Sequence, residues 1–277
     1  MNDQTEPLAG KVALVTGGGR GIGRAIALGL ASSGVNVAIL ARTTEQLEQT
    51  IALAHVRSSP RRGELLAITG DVTHTEQTAR NLRAIEDRLG PIQILVNNAA
   101  VVWPLGPSVA IDPVRWARAV DVNVLAPVRL TVTLLPAMLD AGWGRVINIS
   151  SSVAANPAGM LRANAYTTTK AALEAHTLNL AAELDATGVT VNAYRPGGVD
   201  TAMQAYIRGQ DPAEIGANLH QRFTANHAAG SLLTPEQSAA SLLARISSRA
   251  TGKIWDASDP VDETASERPA SVRSDVV

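Results

Sequence analysis

A tyrosine and a lysine four residues apart, Tyr166 and Lys170, are the side chains of this chain best suited to acid/base chemistry. At that spacing two helical residues share one face. A free tyrosine titrates near pH ~10, and a fixed positive neighbour stabilises its phenolate. We therefore expect the Lys170 ammonium to lower the pKa of Tyr166, so that the phenol can act as a general acid/base. Such pairs also occur on ordinary helix surfaces, so the interpretation depends on the sequence upstream.

A glycine-rich turn follows the first predicted strand and precedes a helical pattern. In that context the glycines allow a tight turn, and the backbone amides of the helix N-terminus can bind a pyrophosphate. The alternative is a flexible turn without a ligand. We expect a dinucleotide site, and its candidate residues are Gly17, Gly19, Arg20, Gly21, Ile22 and Gly23.

The end of the second predicted strand indicates which dinucleotide is bound. A site for NAD usually has an acidic residue about 20 residues beyond the glycines, which accepts from the ribose 2′-hydroxyl. No acid occurs from 37 to 44, where Arg42 and Thr43 follow the strand. Arg20 and Arg42 could converge on a 2′-phosphate, since guanidinium groups bind phosphate through charged hydrogen bonds. The sequence therefore favours NADP(H) over NAD(H), unless both arginines are only solvated.

Short β-branched runs alternate with helical patterns along the whole chain, which predicts an α/β fold with one parallel sheet. Several runs are continuously apolar, as expected for strands covered on both faces. Thr73 and Glu76 predict a capping box, and Thr234 followed by Pro235 predicts another helix start. The predicted strands are Lys11–Thr16, Val35–Ala41, Leu65–Thr69, Ile92–Val96, Arg145–Ser150, Val189–Tyr194 and Lys253–Trp255.

Composition sets limits on the classes of function. The chain has 277 residues, a formal net charge of −1 and no cysteine. The charge gives no electrostatic case for nucleic acid, and the absence of thiols suits a reducing compartment. No apolar run approaches the ~20 residues of a membrane span, and no signal-peptide pattern is seen at the start. We expect a cytoplasmic protein with no nucleic-acid or membrane partner. We also expect one domain over 1–257 and a polar, flexible tail over 258–277.

Taken together, these segments resemble the classical short-chain dehydrogenase/reductase family, from about residue 8 to 256. The turn described above resembles its cofactor turn. Asp71 and Val72 resemble its adenine contact, and Asn97-Asn98-Ala99-Ala100 resembles its NNAG signature. Asn123, Ser151, Tyr166 and Lys170 resemble its catalytic tetrad. The segment from Arg195 to Thr201, with Pro196, Gly197 and Val199, resembles the one that holds the nicotinamide carboxamide.

This sequence departs from the family pattern in three places. Trp255-Asp256-Ala257-Ser258 replaces the glycine pair that usually ends the last strand, which affects the expected dimer contact and pocket floor. Ala100 stands where the family usually has glycine. Two extra residues separate the serines from Tyr166: counting forward from Gly144 selects Ser151, whereas counting back from the tyrosine selects no serine. Ser151 is therefore the first candidate for orienting the substrate, and Ser152 is the second.

The resemblance implies a Rossmann-type doubly wound domain with a mostly parallel seven-stranded sheet and helices on both faces. It implies hydride transfer between NADP(H) and a ketone or secondary alcohol. Tyr166 would exchange the proton, Lys170 would hold the nicotinamide ribose, Ser151 would bind the substrate oxygen, and Asn123 would support a water relay. An irregular lid is expected over about 200–230, above an apolar pocket for a substrate of moderate size. A homodimer or homotetramer is expected as well.

Other classes of function have less support in the sequence. The five histidines include no HExxH pattern, so no metal site is expected. The serine run has no G-x-S-x-G elbow, which weakens a serine-hydrolase reading. A cofactor-binding sensor or scaffold on the same fold stays open, although it would have no use for an acid/base pair. An epimerase or dehydratase of nucleotide sugars also stays open, although its relatives have a different glycine spacing and a larger C-terminal domain.

Overall fold

The computed structural model describes residues 7–56 and 62–260. Each of the seven predicted strands is present, with ends shifted by at most two residues. The strands are β1 (Val12–Thr16), β2 (Asn36–Ala41), β3 (Leu65–Thr69), β4 (Ile94–Asn97), β5 (Gly144–Ile149), β6 (Val189–Arg195) and β7 (Ile254–Asp256). Across the described residues they form one parallel sheet in the order β3-β2-β1-β4-β5-β6-β7. The strand order therefore reverses between β1 and β4.

Helices connect successive strands and cover both faces of the sheet. They are α1 (Gly21–Ser32), α2 (Thr44–Val56), α3 (Thr75–Leu89), α4 (Pro113–Val120), α5 (Ala126–Asp140), α6 (Asn164–Glu183), α7 (Ala202–Arg208), α8 (Pro212–Ile215), α9 (Ala217–Ala228) and α10 (Pro235–Leu243). Alternate residues of the central strands enter two separate apolar clusters, one on each face. Leu14 packs with α3, α5 and α6, whereas Val15 packs with α1, α2 and α10. The predicted single-domain, doubly wound α/β fold is confirmed.

The helical stretch Pro113–Asp140 runs from α4 through a π-helical turn, Asp121–Leu125, into α5. It has 28 residues, and its most apolar window has a mean hydropathy of 1.6. Among the described residues it is the one helix long and apolar enough to cross a membrane, which the sequence analysis did not anticipate. Length and composition are weak evidence, since core helices pass the same test. Here Leu130, Leu134 and Met138 pack against the sheet.

The segment expected to be an irregular lid is helical instead. It consists of α7, α8 and α9, with Gly209 and Gly216 near the joints. The Asp211 carboxylate accepts from the Ala213 amide at 2.8 Å and caps α8, and Pro212 occupies its first turn. The expectation of irregular chain was wrong because these helices are short and broken by glycine, so their apolar periodicity is weak. The expected tail falls mostly on 261–277, outside the described residues.

The two predicted helix starts have different outcomes. Thr234 accepts from the Gln237 amide at 3.1 Å, and the Gln237 side chain accepts from the Thr234 amide at 2.8 Å, which completes a capping box on α10. The capping box of Thr73 was wrong. The N-cap of α3 is His74, which makes no side-chain capping bond, and the Thr73 hydroxyl donates to Asp71 instead.

Candidate active site

A cleft of about 660 Å³ lies beyond the carboxyl ends of the strands, where the strand order reverses. Open α/β sheets bind ligands at this position, because loops leave the sheet in opposite directions there. The segments after β1, β4, β5 and β6 all contribute to its wall. The cleft therefore joins the glycine turn, which follows β1, to the serines that follow β5.

The glycine turn is closely packed on its inner side. Gly17 has a φ of +68°, and a Cβ there would lie 2.7 Å from the Asn98 Nδ2 atom. A Cβ on Gly23 would collide with the Gly17 carbonyl oxygen, which explains why a residue without a side chain is needed where α1 passes the turn. Gly23 itself does not line the cleft; it brings α1 close to the residues that do.

Hydrogen bonds from neighbouring elements fix the turn to the sheet. Asn98 donates from Nδ2 to the carbonyl oxygen of Thr16 at 2.9 Å, and the Thr16 hydroxyl accepts from the amides of Asn98 and Ala99 at 3.0 Å. On the other side, Arg24 donates from Nε to the Gly19 carbonyl oxygen at 3.0 Å. Thr50 donates to the Gly18 carbonyl oxygen at 3.2 Å. Arg24 and Thr50 were not identified from the sequence.

Arg42 and Asp71 lie together at the end of the cleft beyond β2 and β3. The Arg42 Nη1 atom is 4.0 Å from an Asp71 carboxylate oxygen, and 66% of the Arg42 side chain is exposed. Burial raises the pKa of Asp71, but bonds from the Thr73 amide and hydroxyl, with the Arg42 charge, bring it below its ordinary value. Thr43 and Val72 line the same end of the cleft.

Tyr166 lies on the first turn of α6 and faces the cleft. It is 8% exposed, and the side chain of Ser151 hydrogen-bonds with it. Burial raises the pKa of Tyr166 above its ordinary value, and the bond to Ser151 only partly opposes this. The expectation of a lowered pKa was wrong for the protein alone, because burial of the phenol raises its pKa and the bond from Ser151, not the Lys170 ammonium, is what opposes the rise.

Lys170 lies one turn further along α6 and is 3% exposed. Its Nζ atom donates to the Ile149 carbonyl oxygen at 2.6 Å and stands 5.7 Å from the centre of the Tyr166 ring. Burial lowers the pKa of Lys170 to about 8, and the nearby Glu174 carboxylate opposes the shift. The bond to the Ile149 carbonyl oxygen therefore holds the ammonium at the end of β5, beside the Tyr166 ring.

The two candidate serines differ in their surroundings. Ser151 contacts Tyr166 as described and also accepts from the Val153 amide at 3.5 Å. Ser152 lines the cleft too, but it is exposed. It is the first residue of a short 3-10 helix. Both stay candidates, and the geometry favours Ser151.

Two predicted site residues lie behind the cleft wall. Asn97 is buried in the sheet, where it donates to the Asn148 side chain at 2.9 Å. Asn123, in the π-helical turn, accepts from the Val101 amide at 2.8 Å and donates to its carbonyl oxygen at 2.8 Å. It also donates to the Thr169 hydroxyl at 3.0 Å. Neither side chain lines the cleft, so both residues support it from the interior.

The segment after β6 closes the cleft opposite the glycine turn. It contributes Pro196, Gly197, Val199 and Thr201, each predicted from the sequence. A Cβ on Gly21 would lie 3.4 Å from the Thr201 Cγ2 atom and would fill the gap between the two segments. The remaining predicted cofactor residues, Gly19, Arg20, Ile22, Asn98 and Ala99, also line the cleft.

The residue pattern and the cleft agree with a comparison to known sequence families. The sequence model of short chain dehydrogenases matches residues 11–212. This chain belongs to the short-chain dehydrogenase/reductase family.

Individual relatives and one solved structure show the extent of the similarity of this chain to other members of the family. The chain is 37% identical over 200 residues to a short chain dehydrogenase of Pseudocercospora fijiensis, covering 72% of this chain and 62% of that protein. It is 37% identical over 199 residues to the 3-oxoacyl-(acyl-carrier-protein) reductase FabG of Pseudomonas aeruginosa, covering 71% and 76%. A crystal structure of an actinorhodin polyketide ketoreductase variant with NADPH has a TM-score of 0.79 and 30% identity, covering 89% of this chain and 95% of that one.

The part of the cleft next to α7 and α9, where an apolar substrate pocket was expected, has a mixed wall. Its apolar side chains include Met160, Met203, Ile207 and Phe223. Polar side chains missed by the sequence analysis also contribute: Asn156, Gln204, Arg222 and Asn226. They were missed because polar residues in a loop, such as Asn156, or on short lid helices give no periodic signal. Arg222 also donates to the Gly159 carbonyl oxygen at 2.5 Å, which joins α9 to the loop before α6.

Proposed function

We propose that this short-chain dehydrogenase/reductase transfers hydride between NADP(H) and a ketone or secondary alcohol of moderate size, with Tyr166 as general acid/base. One observation carries the proposal. The Tyr166 phenol faces the same cleft as the glycine turn, with the Ser151 side chain bonded to it and the Lys170 ammonium one turn away. A pure cofactor-binding protein has no need of that arrangement.

The residues present fit a dinucleotide. The cleft volume lies within the range of ~300–1,000 Å³ of ligand sites. The amides of the turn and the start of α1 suit a pyrophosphate. Gly21 leaves room between the turn and Thr201 that any side chain would fill. When bound, the cofactor would supply or accept the hydride.

In the direction of reduction, Tyr166 would donate its proton to the substrate oxygen while Ser151 hydrogen-bonds the same oxygen. The raised pKa of Tyr166 keeps the phenol protonated at neutral pH, which is the form that donates. Lys170 would hold the ribose hydroxyls of the cofactor beside the ring. Asn123, bonded to Thr169, would keep this part of α6 in place, since the Thr169 hydroxyl donates to the Tyr166 carbonyl oxygen at 2.8 Å.

The preference for NADP(H) over NAD(H) rests on Arg42, which lies beside Asp71, and on Arg20 of the glycine turn, which also lines the cleft. Asp71 is the nearest acid to Arg42, but its carboxylate already accepts from the Thr73 amide at 2.9 Å and hydroxyl at 2.8 Å. It is therefore less suited than a free carboxylate to accept from a ribose hydroxyl. The exposed Arg42 guanidinium is suited to a 2′-phosphate.

We also propose that the protein works in the cytoplasm as a homodimer or homotetramer. The family resemblance supports the assembly, and the absence of cysteine agrees with a reducing compartment. Light scattering on the purified protein would give the oligomeric state.

The proposal is tested by following NADPH and NADH oxidation in parallel over a panel of ketones, with the reverse reaction over the matching alcohols. We expect turnover of ketones of moderate size and a higher kcat/KM with NADPH. Binding of NADPH without oxidation by any ketone would contradict the proposal and favour a sensor.

A further inference from the structure

A buried carboxylate, Glu174, lies one turn beyond Lys170 on α6 and takes no part in the roles given above. It is 7% exposed, and both of its oxygens are used. Its Oε1 atom accepts from the Ser150 hydroxyl at 2.7 Å and from Arg195 Nε at 2.8 Å. Its Oε2 atom accepts from Arg195 Nη2 at 2.7 Å. A bidentate pair with a further hydrogen bond is a specific and rigid arrangement.

The partners of Glu174 belong to the two segments that form the reactive end of the cleft. Ser150 follows β5 and directly precedes Ser151. Arg195 is the last residue of β6 and directly precedes Pro196 and Gly197. One side chain of α6 therefore fastens both strand ends to the helix that carries Tyr166 and Lys170.

The charges around Glu174 come from three elements. Lys170 lies on the same helix, Arg195 comes from β6, and Asp256 and Asp259 act on Arg195 from β7 and the turn after it. Burial disfavours the ammonium of Lys170, and the negative charge of Glu174 opposes that effect. Arg195 neutralises part of the same negative charge.

We propose that Glu174 is a positioning residue of this site, which fastens the segments after β5 and β6 to α6 and holds a negative charge beside the Lys170 ammonium. Its role in turnover rests on the proposed function. The charge it provides for Lys170 does not, and can be measured without substrate.

The test uses the small number of lysines. Lys11, Lys170 and Lys253 are the three lysines of the chain, so a protein labelled with 13C at lysine Cε gives three NMR signals. Each can be assigned with a Lys→Arg variant. Titration of the Lys170 signal in the full-length protein gives the pKa of its ammonium directly, and the wild-type value is expected at about 8.

Two variants should move this pKa in opposite directions. Glu174→Gln removes the negative charge, and the pKa of Lys170 is expected to fall by about one unit. Arg195→Gln leaves the Glu174 charge without its partner, and the pKa is expected to rise. Glu183→Gln makes the same charge change at an exposed position of α6 and should leave it unchanged.

The outcomes separate a positioning role from a merely structural one. Loss of the buried pair lowers the melting temperature of Glu174→Gln and Arg195→Gln whatever the role of Glu174. Only the proposed role shifts the pKa of Lys170 in opposite directions in these two variants. If Glu174→Gln does not fold, the rise in Arg195→Gln decides. A Lys170 pKa that moves no more in these variants than in Glu183→Gln would overturn the proposal.

Activity then links the two proposals. In Glu174→Gln, the fall in the rate of ketone reduction at high pH should begin at a lower pH than in the wild type. Glu174→Asp keeps the charge, so its rate should fall at the wild-type pH even if kcat stays reduced. If the pH at which the rate falls does not follow the measured pKa of Lys170, the link to turnover is overturned. A wild-type protein that reduces no ketone would contradict the proposed function, while the titration would still decide the role of Glu174.

Discussion

Replacing Lys170 by methionine is expected to stabilise the protein while abolishing turnover. Methionine has a similar length and no charge, so it fits the apolar part of the site. The pKa of Lys170 is lowered from 10.5 to about 8 by burial. Each unit corresponds to about 1.4 kcal/mol, so keeping this ammonium charged in the folded state costs about 3 kcal/mol.

The variant also loses a favourable contact. The bond from Nζ to the Ile149 carbonyl oxygen has a charged donor, and we take about 1.5 kcal/mol for it, the lower end for such bonds. Glu174 keeps Arg195 and Ser150 as partners, so no buried carboxylate is left unpaired. The free energy of unfolding should therefore rise by about 1.5 kcal/mol, which corresponds to an increase of roughly 3–6 °C in melting temperature.

The extra stability of Lys170→Met over the wild type should decrease as pH rises. Below pH 8 the lysine is charged in both the folded and unfolded states, so the full cost is present in the wild type. Between about 8 and 10.5 the unfolded chain binds a proton that the folded protein lacks, so wild-type stability rises with pH. The difference between Lys170→Met and the wild type should shrink across that window.

The assay is urea or thermal unfolding of both proteins at several pH values, with NADPH oxidation measured on the same samples. Lys253→Met, at an exposed lysine, is the control and should change stability by less than about 0.5 kcal/mol. A Lys170→Met variant that is less stable than the wild type at pH 7 would refute the reasoning, because the buried charge would then be a net source of stability.

Further predictions concern the cofactor, the serines and pH. Arg42→Ala should weaken NADPH binding by about 1.5–3 kcal/mol and NADH binding little. Equal losses for the two cofactors would contradict the phosphate assignment. The control is Arg83→Ala, at an exposed arginine of α3. Ser151→Ala should lower kcat by about 10²-fold or more, with Ser152→Ala close to wild type; the reverse result would assign the role to Ser152. The rate of ketone reduction should fall as pH rises past about 8, where Lys170 loses its charge, and a flat alkaline profile would exclude a need for the ammonium.

The sequence predicted the parts of the fold that depend on local patterns. Short β-branched runs located each strand of the described sheet, and several of them are continuously apolar because both faces of a parallel sheet are covered. The glycine turn was identified because its context, strand before and helix after, is itself local. The helical character of α7 and α9 was missed, since these elements are short and give little periodicity.

The parts that depend on contacts distant in sequence could not be predicted. The pKa of Tyr166 follows from burial by surrounding segments, and helical spacing to Lys170 carries no information on that. Asn97 matches a family signature, yet its side chain bonds across the sheet to Asn148. The bond between Glu174 and Arg195 joins a helix to a strand across 21 residues of sequence, and no sequence motif predicts it.

The central claim is that the Tyr166 phenol exchanges the proton beside a bound nicotinamide. Its most direct test is a stopped-flow measurement of NADPH oxidation by Tyr166→Phe, with a ketone that the wild type reduces. The phenyl ring keeps the packing, so the dissociation constant for NADPH should stay within a few-fold of the wild type. The rate of hydride transfer should fall by about 10²–10⁴-fold. A Tyr166→Phe variant that binds NADPH normally and retains substantial turnover would contradict the account.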